Sequence, residues 1–148
     1  MEIDKTTITR IREHGEHTYP EECCGFLVGY YDDAGEPQIT EAYPAENVRD
    51  ERSRRYRLSA HDFHTVESAV EARGRAIVGF YHSHPDHPAR PSSTDLDEAT
   101  FPGYAYIIVS VIDGSAHDLR AWSLAADRAS FNEEKITIKI QEETHDYA

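Results

Sequence analysis

Ala76-Ile77-Val78-Gly79-Phe80-Tyr81-His82-Ser83-His84-Pro85, followed after a short loop by Ser92-Ser93-Thr94-Asp95, is the stretch that decides the reading of this chain. An apolar run ends in two histidines one residue apart. On a β-strand the side chains of residues i and i+2 leave the same face. His82 and His84 can therefore converge on one ion, and a carboxylate returning from the loop, Asp95, can supply a third ligand. Three N/O ligands plus a water is the arrangement of a catalytic zinc site.

The same residues admit other readings. Histidines at a strand end can be purely structural, satisfied by hydrogen bonds or facing solvent. Ser92-x-x-Asp95 can be a capping box that opens a short helix. That reading is compatible with a ligand role, because a capping position fixes where a carboxylate sits. His82-Ser83-His84-Pro85-Asp86-His87 also matches the HxHxDH string of the metallo-β-lactamase-like hydrolases, which assemble a two-metal site. Those enzymes need a longer chain with further histidine and aspartate ligands downstream. Here only His117 and His145 remain, and Pro88-Ala89-Arg90 stands where a glycine-rich turn is expected. A zinc deaminase fails because no CxxC follows.

Working outward, 148 residues predict one domain spanning 1–148, long enough for a real core. An apolar fraction of 39% with 10% aromatics favours a globular chain over a disordered one. The net charge of −13 argues against nucleic acid or an anionic membrane as a partner. Lysine occurs only at Lys5, Lys135 and Lys139, so the basic residues are mostly arginine. Such a surface suits an ordinary acidic protein or one adapted to high salt, where screening relieves self-repulsion. The only cysteines, Cys23 and Cys24, are adjacent and make neither a disulfide framework nor a CxxC pair. The chain start lacks an apolar h-region and no stretch is long enough to span a bilayer, so a cytoplasmic location is expected. The oligomeric state has no signature in the sequence.

Asp4 to His17 reads as a helix with Ile8 and Ile11 on one face, closed by Tyr19-Pro20. Glu21 to Tyr31 follows, and its second half reads as a buried strand. A turn at 32–37 leads to a returning strand, Ile39 to Tyr43. Residues 49–57 hold five arginines and read as a loop leading into a short strand near Tyr56-Leu58. Ser59 with Asp62 caps a helix carrying Phe63, Val66, Ala69 and Val70, and Gly74 suits its end. The loop Pro85–Pro91 carries three prolines and is stiff. A short helix from Thr94 to about Phe101, a central strand Tyr104–Ile112 and a hairpin partner Asp118–Leu124 follow. Phe131 to Gln141 alternates and reads as one half-exposed strand, with Glu142–Ala148 a frayed tail.

With these pieces in order, the sequence resembles the JAMM (JAB/MPN-plus) metalloproteases. Their signature is an early glutamate, then H-[S/T]-H-P, a serine after seven residues and an aspartate three beyond it. This chain has Glu22, His82-Ser83-His84-Pro85, Ser92 and Asp95, and no element is missing. Tyr19-Pro20-Glu21-Glu22-Cys23-Cys24-Gly25-Phe26-Leu27-Val28-Gly29 also looks like the opening region of the short bacterial and archaeal members. Each piece alone is weak, and together they are highly specific.

The resemblance implies an α/β fold of the cytidine-deaminase-like kind, a three-layer mixed sheet with helices on both faces. It implies that His82, His84 and Asp95 bind one Zn²⁺ per chain, with a water in the fourth position. It further implies Glu22 as general base and Ser92 as the donor to the oxyanion of an amide or isopeptide bond under hydrolysis. Glu22 outranks Glu21 because the family's glutamate stands two residues after the proline. Small prokaryotic members point to ubiquitin-like or sulfur-carrier proteins with a Gly-Gly end as partners. Arg52, Arg54 and Arg55 then become candidates for docking an acidic partner. The contrasting class is a non-catalytic MPN scaffold, and such modules usually lack the ligands that are all present here.

Overall fold

The computed structural model describes residues 1–47, 58–99 and 103–140. In chain order they form β1 (Glu2–Asp4), α1 (Lys5–Thr18), β2 (Cys24–Tyr31), β3 (Pro37–Ala45), α2 (Ala60–Glu71), β4 (Ala76–Pro85), α3 (Ser93–Glu98), β5 (Ala105–Ile112), β6 (Ser115–Leu124), β7 (Phe131–Glu134) and β8 (Thr137–Lys139). The strands make one mixed sheet in the order β7-β6-β5-β4-β2-β3-β1-β8. β4 lies near its middle, antiparallel to β2 and parallel to β5. The fold is α/β with α1 and α2 on opposite faces of the sheet, as the family resemblance implies.

The core divides accordingly. Ile8 and Ile11 of α1 pack with Leu27, Val78, Tyr81, Ile107 and Val109 on one face. Phe63, Val66 and Val70 of α2 pack with Phe26, Val28, Phe80 and Tyr106 on the other. The Ser59 hydroxyl accepts from the Asp62 N–H to cap α2, and Gly74 closes the helix region at a φ of 73°. Near the middle of β4 the register with β2 shifts between Leu27 and Val28, one residue longer on the β4 side. Beyond that shift the alternation puts Tyr81 and Ser83 toward α1, and Phe80, His82 and His84 toward the opposite face.

The stretch after residue 130 differs from expectation. Its alternation is real, but it forms two strands, β7 and β8, at opposite edges of the sheet. Alternation reports which face a residue takes and is silent about which strand it pairs with. β7 pairs with β6, and β8 pairs in parallel with the short β1 that precedes α1. Only Lys135 and Ile136 separate the two strands, so three residue steps of about 3.5 Å each span the gap between the sheet's edges. A flat eight-stranded sheet would hold its edges about 34 Å apart. The sheet therefore curls, and α1 touches β1, β3, β4, β5 and β6 from inside the curve. Two other expectations shift in detail: the short helix ends at Glu98, and Leu58 is outside any strand. The arginine-rich stretch from Arg49 to Arg57 and the tail Glu142–Ala148 lie outside the described residues.

The curl brings α1 unusually close to the sheet at Gly15. A β-carbon there would stand 2.9 Å from Cγ2 of Val111, 3.3 Å from Cγ1 of Val109 and 3.4 Å from Cβ of Ser83. Gly15 extends the Ile8–Ile11 stripe of the helix, and its missing side chain is what allows the approach. Replacing Gly15 with valine should cost about 2 kcal/mol or more through overpacking, although the helix itself gains from losing a glycine. A lowered thermal midpoint and lowered denaturant midpoint at unchanged m-value would register it, and an unchanged midpoint would show that the helix can back away freely.

Candidate active site

The site lies where the paired ends of β2 and β4 leave the core. Gly25 and Cys24 pair with Tyr81 and His82 in antiparallel register. The pairing runs one step past the last strand residue. Cys23 N–H donates to the Ser83 hydroxyl at 2.8 Å, and Ser83 N–H donates to the Cys23 carbonyl at 3.1 Å. One further step in that register sets Glu22 across from His84. Glu22 is 4% exposed, and its ligand oxygen and the nitrogens of His82 and His84 all lie within 4.8 Å of one another. The amide of Asn47 donates to the Glu22 carbonyl at 3.1 Å, so the turn that carries the acid is fixed on its other side as well.

Asp95 arrives from the start of α3. The Ser92 hydroxyl accepts from Asp95 N–H at 3.0 Å, and Asp95 Oδ2 accepts from Ser92 N–H at 2.8 Å, a complete capping box. The cap leaves both carboxylate oxygens on the histidines: Oδ1 is 3.2 Å from His82 Nε2, and Oδ2 is 3.0 Å from His84 Nε2. The two Nε2 atoms are 3.1 Å apart. The capping reading and the ligand reading of Ser92-x-x-Asp95 thus describe one arrangement.

The chemistry of this donor set asks for a cation. His84 Nδ1 lies 2.8 Å from the carbonyl oxygen of Pro88. A carbonyl only accepts, so Nδ1 carries the hydrogen, and a neutral His84 turns a lone pair outward at Nε2. That lone pair faces a carboxylate oxygen. Acceptor against acceptor at 3.0 Å in a buried place is repulsive unless a positive charge lies between them. The proton affinities point the same way. Burial opposes protonation of His84, but its hydrogen bond to Asp95 and the carboxylate's charge outweigh burial and raise its pKa. Burial also opposes ionisation of Asp95, yet the two imidazoles hold it far below the usual carboxylate range. His82, fully enclosed, has its pKa lowered by burial despite Asp95. Two imidazoles and one carboxylate, closed on one side by protein, fit a transition-metal ion that takes N and O ligands.

The other candidates sort themselves by contact. Asp86, the acid of the HxHxDH string, accepts from the Tyr19 hydroxyl at 2.7 Å and from Asp113 N–H at 2.9 Å. It is fully engaged in tying the loop before Glu22 to the β5–β6 turn, so the two-metal arrangement has lost its aspartate. His14 bonds the Tyr81 hydroxyl at 2.8 Å on the α1 side. Cys23 and Cys24 are buried, and desolvation pushes both thiols up to about 12; among the described residues the acid and histidine group that could hold a metal is Glu22, His82 and His84, without either thiol. Arg52, Arg54 and Arg55 fall outside the described residues. Sequence reasoning overlooked the Pro88 carbonyl and Asn47. A backbone acceptor has no side-chain signature, and a single asparagine in a polar segment stands out from nothing.

Residues 4–125 match the family model for prokaryotic homologs of the JAB domain. A desampylase of Haloferax volcanii is 38% identical over 103 residues, covering 70% of this chain and 72% of the relative. A CysO-cysteine peptidase of Mycobacterium bovis is 35% identical over 112 residues, covering 75% of this chain and 73% of the relative. Among solved structures, a solution structure of a protein from Salinibacter ruber superposes with a TM-score of 0.76 at 46% identity. That superposition covers 98% of this chain and 94% of the other. Among the described residues no helix is long and apolar enough to cross a membrane.

A ligand that binds only the folded state stabilises it by mass action, by about 2.7 kcal/mol at a hundredfold excess over Kd. Titrating metal-free protein with zinc or cobalt should therefore raise the thermal midpoint by roughly 5–10 °C at this chain length. His82→Ala and Asp95→Ala should each remove that rise. A wild-type midpoint indifferent to either metal would show that protons alone satisfy the cluster.

Proposed function

The chain belongs to the prokaryotic homologs of the JAB domain, and from that premise we propose a zinc-dependent hydrolysis at the C-terminal end of a ubiquitin-like or sulfur-carrier protein. The observation that carries the reading is the placement of Glu22. An acid set within 4.8 Å of both imidazole nitrogens, on the segment that leads into the neighbouring strand, is close enough to take a proton from a water held at the ion they would share. His82, His84 and Asp95 are the ligands. Zinc, when bound there, lowers the pKa of a water toward neutrality and polarises a carbonyl.

The chain's own groups do the rest. Glu22, buried and anchored through its backbone, accepts a proton from the attacking water and returns it to the leaving amine. One proton is taken and one is given back, so Glu22 returns to its carboxylate form with the C–N bond broken, and the new carboxylic acid passes its remaining proton to the released amine. The Ser92 hydroxyl accepts from Asp95 N–H in the cap. Its own hydrogen remains to donate to the substrate oxygen as negative charge builds there. Asp95, held low by the imidazoles, stays an anion throughout and competes for no proton in the reaction.

Two relatives named a desampylase and a CysO-cysteine peptidase support a protein tail as the substrate, cut at an amide or isopeptide bond. A tail ending in Gly-Gly suits such a site, since glycine lets a backbone approach closely. Arg52, Arg54 and Arg55, in the one basic stretch of an acidic chain, are proposed to dock the partner.

Zinc-loaded protein incubated with ubiquitin-like carriers extended past Gly-Gly should release the extension, as read by mass spectrometry. Glu22→Gln should keep one zinc per chain while kcat falls by about 10²–10⁴. Ser92→Ala should cost roughly 10²–10³ in kcat with metal retained. Full turnover in Glu22→Gln would move the base elsewhere. Replacing all three arginines with alanine should raise KM and leave kcat near wild type, and an unchanged KM would remove the docking role.

A further inference from the structure

The loop from Pro85 to Pro91 joins the two halves of the proposed ligand set, with His82 and His84 before it and Asp95, capped by Ser92, after it. Three consecutive carbonyls in this loop are each held by a side chain from a different strand. The His87 carbonyl accepts from the Ser110 hydroxyl of β5 at 2.6 Å. The Pro88 carbonyl accepts from His84 Nδ1 of β4 at 2.8 Å, and also from Arg90 N–H. The Ala89 carbonyl accepts from the indole Nε1–H of Trp122 in β6 at 3.1 Å. Ser110 and Ala89 are buried. The middle carbonyl is the one that fixes the orientation and tautomer of a ligand imidazole, and the other two flank it by one residue on each side.

Geometry makes the three contacts one device. Prolines at 85, 88 and 91 fix φ and remove N–H groups, so the loop cannot re-form its bonds by swivelling single peptides. A carbonyl displaced at 87 or 89 carries the one at 88 with it. We propose that Trp122 and Ser110 are positioning residues for metal binding. By pinning the carbonyls on either side of Pro88, they hold the acceptor that keeps Nδ1 of His84 protonated and Nε2 aimed at the ion. Neither residue belongs to the motif that supplies the ligands, and Trp122 stands thirty-eight positions beyond His84 in the sequence. Its ring also packs against the α2-side core, which is why a purely structural role must be separated from this one.

The inference rests on the metal reading of the site, and its test reads metal binding directly. Trp122→Phe keeps an aromatic ring and loses the N–H, whereas Ser110→Ala loses only a hydroxyl. Zinc Kd is measured by competition with a chromophoric chelator, alongside the thermal midpoint of metal-free protein and the visible spectrum of the cobalt form. Partners of a ligating histidine are worth about 10–100-fold in affinity. Each variant should weaken zinc about tenfold or more and change the cobalt bands. Val70→Ala, which loosens the core under α2, should lower the midpoint and leave both Kd and bands alone. Wild-type Kd and spectrum in both Trp122→Phe and Ser110→Ala would overturn the positioning role while the metal site stands. A Val70→Ala variant that weakens zinc as much as they do would reduce them to general stability. Absence of zinc binding by the wild type would end the metal reading and this inference with it.

Discussion

The antiparallel pairing of β2 with β4 is the constraint on which the site depends. It is a backbone ladder, indifferent to the chemistry it carries, yet it fixes which residue of the early strand faces which histidine. A slip of one residue would turn Glu22 to the other face and bring Glu21 or Cys23 into its place. The step beyond the ladder is made by a side chain: the Ser83 hydroxyl takes the Cys23 N–H where a backbone carbonyl would otherwise be needed. Together with the Ser83 N–H donated to the Cys23 carbonyl, that contact ties the segment carrying the acid to the residue lying between the two histidines. Sixty positions of sequence thus collapse into a contact between neighbours.

Burial gives this arrangement both its cost and its direction. Two imidazoles, two carboxylates and two thiols sit in or beside an interior wall. Groups of that kind lose several kcal/mol of hydration when enclosed without partners. The thiols respond by staying neutral, with pKa values pushed up to about 12. The imidazole–carboxylate cluster does not become neutral in that way: the histidines hold Asp95 ionised, and the positive charge facing it is a proton on His84 or a bound cation. A protein with such a cluster is less stable without a cation than its core alone would make it. A cation bound there would therefore be part of the fold's energy as well as its chemistry.

Much of this was legible in the residues. His82, His84 and Asp95 could be assembled from strand periodicity and a capping signature, because both are local rules with a fixed geometry. Glu22 was not reachable in that way. Its role came from resemblance to a family, since no local rule says which early acid a strand pairing will deliver. The helix capped by Ser59 was legible for the same reason as the histidines. The split of the stretch after residue 130 into β7 and β8 was not, because it depends on the sheet curling until its edges lie a few residues apart. The Pro88 carbonyl was invisible for a deeper reason: a backbone acceptor is the same in every residue, and only the path of the chain gives it a use.

The serine between the histidines shows how closely the two faces of β4 are coupled. Strand alternation sends Ser83 to the α1 side, where its β-carbon lies opposite the missing side chain of Gly15. A bulky residue there would push α1 off the sheet, and an apolar one would leave the Cys23 N–H without its acceptor. A small hydroxyl satisfies both demands. A glycine inside a helix costs about 1 kcal/mol relative to alanine, and here it lets the helix close over the residue that positions the acid. The tight packing of α1 is thus part of the site, though no atom of α1 is needed for the chemistry.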